Sequence, residues 1–310
     1  RTQGPECPSL LHFSPFVCPG LVELGPSFPA AFPRTHPMKV ITALRSIGFS
    51  HVEETACALD ELIRERTIHL AKAHDVVIST SCPDIVELVQ KDYPQAAPAL
   101  APFPSPMLSH GVRLKRKYGT DAAVVFIGPC LAKKRQVASM RELVTSGDAT
   151  SSAELREAGK PVDVCLTFAE LRTWLNESVG DLDPLPPGKW DAEAPPGVKL
   201  AVLQEGISGI DCCRRFLERF VSEEEREKQG GTPALGDTPC FVELLACPGG
   251  CLNGPGMGDV DTNETHVKSE ISSEDELRER LVARRQRVIE YVYAESRGVK
   301  SQRILPHQRC

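Results

Sequence analysis

The segment AAVVFIGPC, Ala122 to Cys130, decides how this chain is read. Val124, Val125, Phe126 and Ile127 follow one another without the apolar/polar alternation of a half-solvated strand, and the run is too short for a buried helix. A strand that is apolar on both faces belongs in a parallel sheet covered by helices. Such sheets collect ligands outside the carboxyl ends of their strands, where this segment delivers Pro129 and Cys130.

Two other segments share this grammar: DVVISTSCP (75–83) and PCFVELLACPGGC (239–251) each run from an apolar stretch into a cysteine beside proline or glycine. Between them lie sequences of helical period. MKVITALRSIGF (38–49) reads as a helix closing at Gly48, HVEETACALDELIRERTIHLAKAH (51–74) as a longer one, and PDIVELVQKDY (83–93) and MLSHGVRLKRKYG (107–119) as two more. The second half offers VDVCLTF (162–168) and VKLAVLQ (198–204) as strands, and AELRTWLNESV (169–179) and SGIDCCRRFLERFV (208–221) as helices. SEEEREKQGGTPALGD (222–237) reads as a solvated turn and SSEDELRERLVARRQRVIEYVYAES (272–296) as a closing charged helix. The five-proline stretch DLDPLPPGKWDAEAPPG (181–197) reads as an insertion or a lid. The expected architecture is α/β, two lobes of mainly parallel sheet flanked by helices, with a cluster site between the lobes.

At 310 residues with 41% hydrophobic and 25% charged content, the chain can bury a core without staples. Lys+Arg number 36 against 42 Asp+Glu, so no basic footprint for nucleic acid exists. No apolar run reaches the roughly 20 residues of a membrane span, and no secretory leader opens the sequence, so a cytoplasmic location is expected. The first 37 residues are proline-rich and without period. We read 1–24 as an irregular tail left from an upstream ferredoxin-type domain, 25–300 as one functional domain with lobes about 25–145 and 146–300, and 301–310 as a tail toward a further region.

Twelve cysteines exceed what packing needs in a reducing compartment, which favours metal binding. Cys57 and Cys165 have apolar neighbours and read as small buried hydrophobes. Of the adjacent pair Cys212 and Cys213, one should pack and one face outward. Cys82, Cys130, Cys247 and Cys251 follow apolar runs and gather at one end of a sheet system. Four thiolates suit a 4Fe-4S cluster. Zinc also accepts four, but structural zinc sites usually draw on two close Cys-x-x-Cys pairs, whereas here 48 residues separate Cys82 from Cys130 and 117 separate Cys130 from Cys247. Gly249, Gly250, Gly254 and Gly256 would let backbone N–H groups approach inorganic sulfur.

Together the three segments resemble the signature motifs of the catalytic domain of the FeFe (iron-only) hydrogenases: Ser81, Cys82 and Pro83; Pro129, Cys130 and Lys133; Ala246, Cys247, Gly250 and Cys251. The resemblance runs from about Gly25 to about Ser296. It implies that the four cysteines hold a 4Fe-4S cluster and that Cys251 also bridges to a two-iron subsite carrying CO, cyanide and a dithiol, the H-cluster. Lys133 would donate to one cyanide, and Pro26 with Ser27 in ELGPSFPAAF would serve the opposite side. The implied partners are a ferredoxin-type electron carrier or fused cluster domain, maturation enzymes and a PAS or signalling module.

This chain departs from the hydrogen-evolving members of that family. Ser81 stands where they carry a proton-passing cysteine, and a hydroxyl relays protons less readily than a thiol with pKa near 8.5. Gly128 and Gln136 replace a methionine and a glutamate, Met107 replaces a glutamine after Ser105 and Pro106, and Asn253-Gly254-Pro255-Gly256-Met257 replaces a glycine-rich continuation. Arg66 and His69 are expected where the acidic proton relay would lie. These departures resemble the sensory branch of the family and imply slow hydrogen/proton chemistry, with Ser81, Lys133 and Ser27 as catalytic candidates and Pro26, Ser27, Lys133 and Met107 around the cofactor. The alternative is a non-catalytic protein with the 4Fe-4S half alone.

Overall fold

The computed structural model describes residues 20–58, 76–146, 159–194, 206–228, 240–258 and 274–295. Its central element lies where irregular structure is expected. GLVEL forms strand β1 (Gly20–Leu24), buried along its whole length. It pairs in parallel with β2 (His51–Glu54) on one side and β4 (Ala123–Gly128) on the other, and β4 pairs with β5 (Val164–Thr167). The sheet order is therefore β2-β1-β4-β5. The central strand of the sheet thus lies before residue 25.

Strand periodicity divides this sheet's residues between two cores. Val22, Leu24, Val125 and Ile127 join Phe28, Val40, Ile41, Leu44, Phe168 and Leu171. These come from helices α1 (Phe28–Ala31), α2 (Pro37–Ser46) and α6 (Phe168–Ser178), and the closing helix α8 (Glu274–Glu295) adds Val288, Tyr291 and Val292. On the other face Leu21, Val124 and Phe126 meet Met107, Leu108, Val112 and Leu114 of α4 (Pro106–Tyr118), with Val137 and Met140 of α5 (Ala132–Ser146). Full burial of each such side chain contributes about 1.5–3 kcal/mol.

A second packing unit is built on two short parallel pairs. β3 (Val76–Ile78) pairs with β7 (Cys240–Val242), and β6 (Ile207–Ser208) with β8 (Leu244–Leu245). Helices α3 (Pro83–Asp92) and α7 (Ile210–Lys228) cover them through Ile85, Leu88, Val89, Cys213, Leu217 and Phe220. The two units do not follow the division at about 145/146. β5 from the second half completes the first sheet, and β3 from the first half pairs, among the described strands, with β7 from the second.

Three further expectations change. His51–Glu54 is a strand and Thr55–Ala58 a 3-10 turn, not the start of a long helix. Ser222–Lys228 extends α7 rather than forming a turn, as its run of good helix formers allows. The proline-rich stretch, as far as residue 194, is pinned rather than lid-like. Gly188 N donates to Met38 O at 2.7 Å, Val52 N to Asp191 Oδ2 at 2.7 Å, and Glu54 N to Ala192 O at 3.1 Å. It covers the outer edge of β2, a usual way to blunt an exposed strand. The 198–204 strand, Arg66 and His69, and Cys7, Cys18 and Cys310 lie outside the described residues.

The β2 glutamates read as helical because their partners are remote in sequence. Glu54 accepts from Tyr291 Oη at 2.9 Å and Ala194 N at 2.8 Å. Glu53 accepts from Lys117 Nζ at 2.7 Å and Tyr118 Oη at 2.9 Å, and meets His110 at 3.2 Å. Burial alone would raise the Glu53 carboxyl, but the hydrogen bonds from His110, Lys117 and Tyr118 hold it at about 2. A depressed carboxylate contributes stability above its unfolded value of 4.5 and loses it as the pH falls toward 2. Urea unfolding followed between those values should therefore show an acid loss of stability that is much flatter in Glu53→Gln.

Gly111, inside α4, gives a second test. Alanine is normally favoured over glycine in a helix by about 1 kcal/mol. A Cβ here would lie 2.5 Å from the Pro161 carbonyl oxygen, so the sign should reverse. Gly111→Ala should lower stability by about 1–3 kcal/mol in denaturant unfolding.

Candidate functional site

The carboxyl ends of strands from both units meet at the site. β1 ends in Gly25-Pro26-Ser27 and β4 in Gly128-Pro129-Cys130, and these ends lie side by side. Leu24 pairs with Ile127, and Gly25 N donates to Ile127 O at 2.8 Å. Pro26 and Ser27 thus stand next to the Cys130 segment. Ser27 precedes α1 in the N-cap position, yet its side chain makes no capping bond. A serine there normally caps, so its hydroxyl is not committed to that helix.

Cys82 follows β3 and is the N-cap of α3 with an extended backbone. The backbone of Ala246 and of Ile85 opposes the rise that burial gives the Cys82 thiol, which puts the third cysteine segment close to the first. Beside it, the hydroxyls of Ser79 and Ser81 lie 2.9 Å apart. Across the site, Lys133 on the first turn of α5 donates from Nζ to the Ser81 carbonyl at 3.5 Å, with its ammonium over the Phe126 ring. Arg135 on the same turn pairs with Asp84 and Glu87 of α3.

The third segment bridges the two units. On one side Gly209 N donates to Leu245 O at 2.9 Å, and Ala246 packs against the second core. On the other, Leu252 and Met257 enter the first core. Arg284 of α8 donates to Leu252 O at 2.8 Å and to Asn253 Oδ1 at 3.1 Å. Between these anchors the chain turns through Gly249 and Gly250, at φ of 77° and 71° in the left-handed region that glycine tolerates best. The turn closes with Gly250 N donating to Cys247 O at 2.9 Å, which sets Cys247 and Cys251 on one loop.

Gly254 and Gly256 have a role different from the expected approach to inorganic sulfur. Both press on Pro129: Gly256 N donates to Pro129 O at 2.7 Å, and a Cβ on Gly254 would sit 2.5 Å from that oxygen. The absence of side chains here seats the Cys247–Cys251 loop against the Cys130 segment.

The four thiols feel one another electrostatically. Burial raises the Cys82 thiol, with Cys130 adding to the rise. Cys247 is pushed up to about 12 by burial and then by Cys130 and Cys82. Cys251 opens to solvent at its residue surface, yet surrounding protein and the thiols of Cys130, Cys82 and Cys247 push it up to about 12 against the pull of Lys133. Such a donor set gains by giving up protons to bound cations. Among the described residues, no three Cys, His, Asp or Glu side chains close on a point as tightly as one metal ion requires.

Other candidates resolve as packing. Met107 is fully buried in the apolar cluster beneath α4. Cys165 lies in that same cluster, its thiol pushed up to about 12 by burial, and Cys57 is buried. Cys213 is fully buried while Cys212 is partly exposed, one inward and one outward. Gln136 stands 3.4 Å from the Ser105 hydroxyl. Sequence reasoning missed a fully buried group in the first unit, Glu23, His110 and Glu53, whose only local signal was a glutamate inside an apolar strand. Among the described residues no helix is long and apolar enough to cross a membrane.

Known proteins show similarity over the same region. The sequence model described as iron only hydrogenase large subunit, C-terminal domain, matches residues 19–203. The periplasmic Fe hydrogenase large subunit of Nitratidesulfovibrio vulgaris is 25% identical over 276 residues, covering 71% of this chain and 62% of the relative. Subunit HndD of the NADP-reducing hydrogenase of Solidesulfovibrio fructosivorans is 26% identical over 285 residues, covering 72% of this chain and 46% of the relative. The chain thus spans about half the length of these curated relatives. Among solved structures, an FeFe-hydrogenase HydA1 from Chlamydomonas reinhardtii superposes with TM-score 0.58 at 17% identity, covering 86% of this chain and 83% of that one, a likeness of fold. Since the family's sequence model spans more than half of these residues, the chain belongs to the iron-only hydrogenase large-subunit family, through its C-terminal domain.

Proposed function

We propose that this chain is an iron-sulfur protein of hydrogenase type, holding a 4Fe-4S cluster on Cys82, Cys130, Cys247 and Cys251 and a two-iron subsite beside Cys251. The observation that carries this reading is that contacts join all three cysteine segments: Lys133, near Cys130, donates to the Ser81 carbonyl beside Cys82, and Gly256, on the loop of Cys247 and Cys251, donates to the Pro129 carbonyl beside Cys130. A four-iron cube also spreads its thiolates more widely than one zinc ion, which accords with thiols that are coupled without closing on a point.

When bound, these groups supply the electrons and the iron at which protons and hydrogen interconvert. The protein's own part is to bind and orient. The nearby backbone of Ala246 and Ile85 favours the Cys82 thiolate against the burial that raises it. Lys133 brings a cation to the cavity, and the uncapped Ser27 beside Pro26 brings a hydroxyl from β1, so anionic ligands would find donors from two directions. Ser81 in place of a thiol makes this end of the cavity a poor proton donor, which favours slow turnover and a sensory use of hydrogen or redox state. Electrons would come from a ferredoxin-type carrier or a fused cluster domain, and maturation enzymes would install the two-iron group. A PAS or signalling module is the partner a sensor requires, and a cytoplasmic setting fits free cysteines.

A second reading, a 4Fe-4S protein without the two-iron group, is favoured by the hydroxyl of Ser81 alone; Lys133, whose charge lowers the Cys251 thiol against its burial, argues for the first.

Anaerobic loading with iron and sulfide should give about four irons per chain, and maturation with the family's assembly enzymes about six. Infrared bands of CO and cyanide should accompany the latter. Retention near four with no such bands selects the second reading, and no iron uptake refutes both. Serine at any of positions 82, 130, 247 or 251 should strip most of the iron, while Cys212→Ser leaves it unchanged.

Gly254→Ala should also abolish cluster retention, although it alters no thiol, because its Cβ would push the loop away from Pro129. The visible absorption of the loaded protein reads this directly. An intact spectrum would show that the glycine contact does not position the cysteines.

A further inference from the structure

The first unit buries three ionisable groups that the cysteine site does not use. Glu23 of β1, Glu53 of β2 and His110 of α4 are all fully buried. His110 stands between the carboxylates, Nδ1 at 3.1 Å from Glu23 Oε2 and Nε2 at 3.2 Å from Glu53 Oε2. Beyond Glu53, Oε1 accepts from Lys117 Nζ and Tyr118 Oη, and the Lys117 side chain is 43% exposed. At the other end Glu23 Oε1 is buried with no hydrogen-bond partner among the described residues. Lys133, which acts on Cys251, also acts on Glu23.

A structural ion pair would satisfy both oxygens of each buried carboxylate, since an unpaired one costs desolvation without return. Glu53 meets that standard and Glu23 does not. The unsatisfied oxygen is on Glu23, whose register partner on β4 is Phe126, the residue whose ring carries the Lys133 ammonium, and the satisfied end opens to solvent. The arrangement is therefore directional.

We propose that Glu53, His110 and Glu23 form a proton line from the surface at Lys117 and Tyr118 to the Lys133 side of the thiol cavity. As Nε2 of His110 gains a proton from Glu53, the Nδ1 proton passes to Glu23. One N–H bond forms and another breaks, one O–H bond breaks and another forms, and no charge stays on the ring. The ring is left as its Nε2–H tautomer, and the reverse transfer, Nδ1 taking a proton from Glu23 as Nε2 returns one to Glu53, restores it, so the line shuttles one proton at a time between its two ends. Glu23 then carries the proton, beside Phe126, over whose ring the Lys133 ammonium lies.

The groups' affinities agree with this direction. Burial raises the Glu23 carboxyl against the opposing influence of His110 and Lys133, so this end retains a proton. Glu53, held at about 2, gives its proton up. His110 is raised because its bonds to both carboxylates overcome the burial that would lower it. Other charges facing the group are Lys117, on the same helix as His110, and Lys133, on α5. Ser81 leaves the β3 side of the cavity without a thiol relay, so an entry through β1 has a purpose there. That purpose rests on the cluster reading; the line itself does not.

The test is exchange of the His110 ring protons with solvent in the iron-free 310-residue chain, read by NMR with 15N-labelled histidine. His110→Gln assigns the signal, and the β1 backbone amides serve as the internal clock for unfolding. The line predicts ring exchange far faster than those amides, slowed about tenfold or more in Glu53→Gln and in the double variant Lys117→Met/Tyr118→Phe. The double variant keeps the test available should the buried substitution fail to fold. Ring protons that exchange only with the β1 amides, or variants that leave the rate unchanged, overturn the inference and leave a sealed ion pair. Failure to load iron counts against the cluster reading alone, because exchange is measured without it.

Discussion

The close contact of Gly254 and Gly256 with Pro129 is the constraint on which the site depends. A backbone hydrogen bond of 2.7 Å and the lack of any room for a Cβ lock the last cysteine loop to the end of the central sheet. Loosening it would leave Cys130 in the first unit and Cys247 and Cys251 on a loop anchored elsewhere. Leu252 and Met257 in the first core, Arg284 on the Leu252 carbonyl and Ala246 in the second core hold the loop at both ends. Each contact stabilises the protein modestly, but together they leave the loop one position, the precision that a bound group demands of the residues holding it.

Parallel strands explain why the site falls where it does. Every paired strand described runs parallel to its neighbour, so strand ends of one kind collect on one side. The crossing of β3 and β5 between halves of the sequence interleaves the units. Three cysteine segments from distant parts of the chain can thus approach one another without a long loop.

The cysteine segments were legible because apolar runs ending in Pro-Cys or Cys-Pro carry both strand and site in a few adjacent residues. β1 was not: its signal is five residues long, follows a proline-rich stretch and contains Glu23, whose partner His110 lies 87 residues away. β2 misled for the same reason, since HVEE looks helical until Lys117, Tyr118 and Tyr291 neutralise its carboxylates. Gly254 and Gly256 were visible as glycines, but only the fold shows that they face Pro129. Local pattern reports period and punctuation, whereas buried charge is settled by partners that no local window contains.

The central claim is that one cavity, framed by three cysteine segments, holds the iron. Anomalous diffraction at the iron edge from anaerobically loaded crystals tests it most directly. The account predicts iron density enclosed by the sulfurs of Cys82, Cys130, Cys247 and Cys251, with Lys133 on its border. Iron bound at other thiols, or a single ion on a subset of these four, would contradict it.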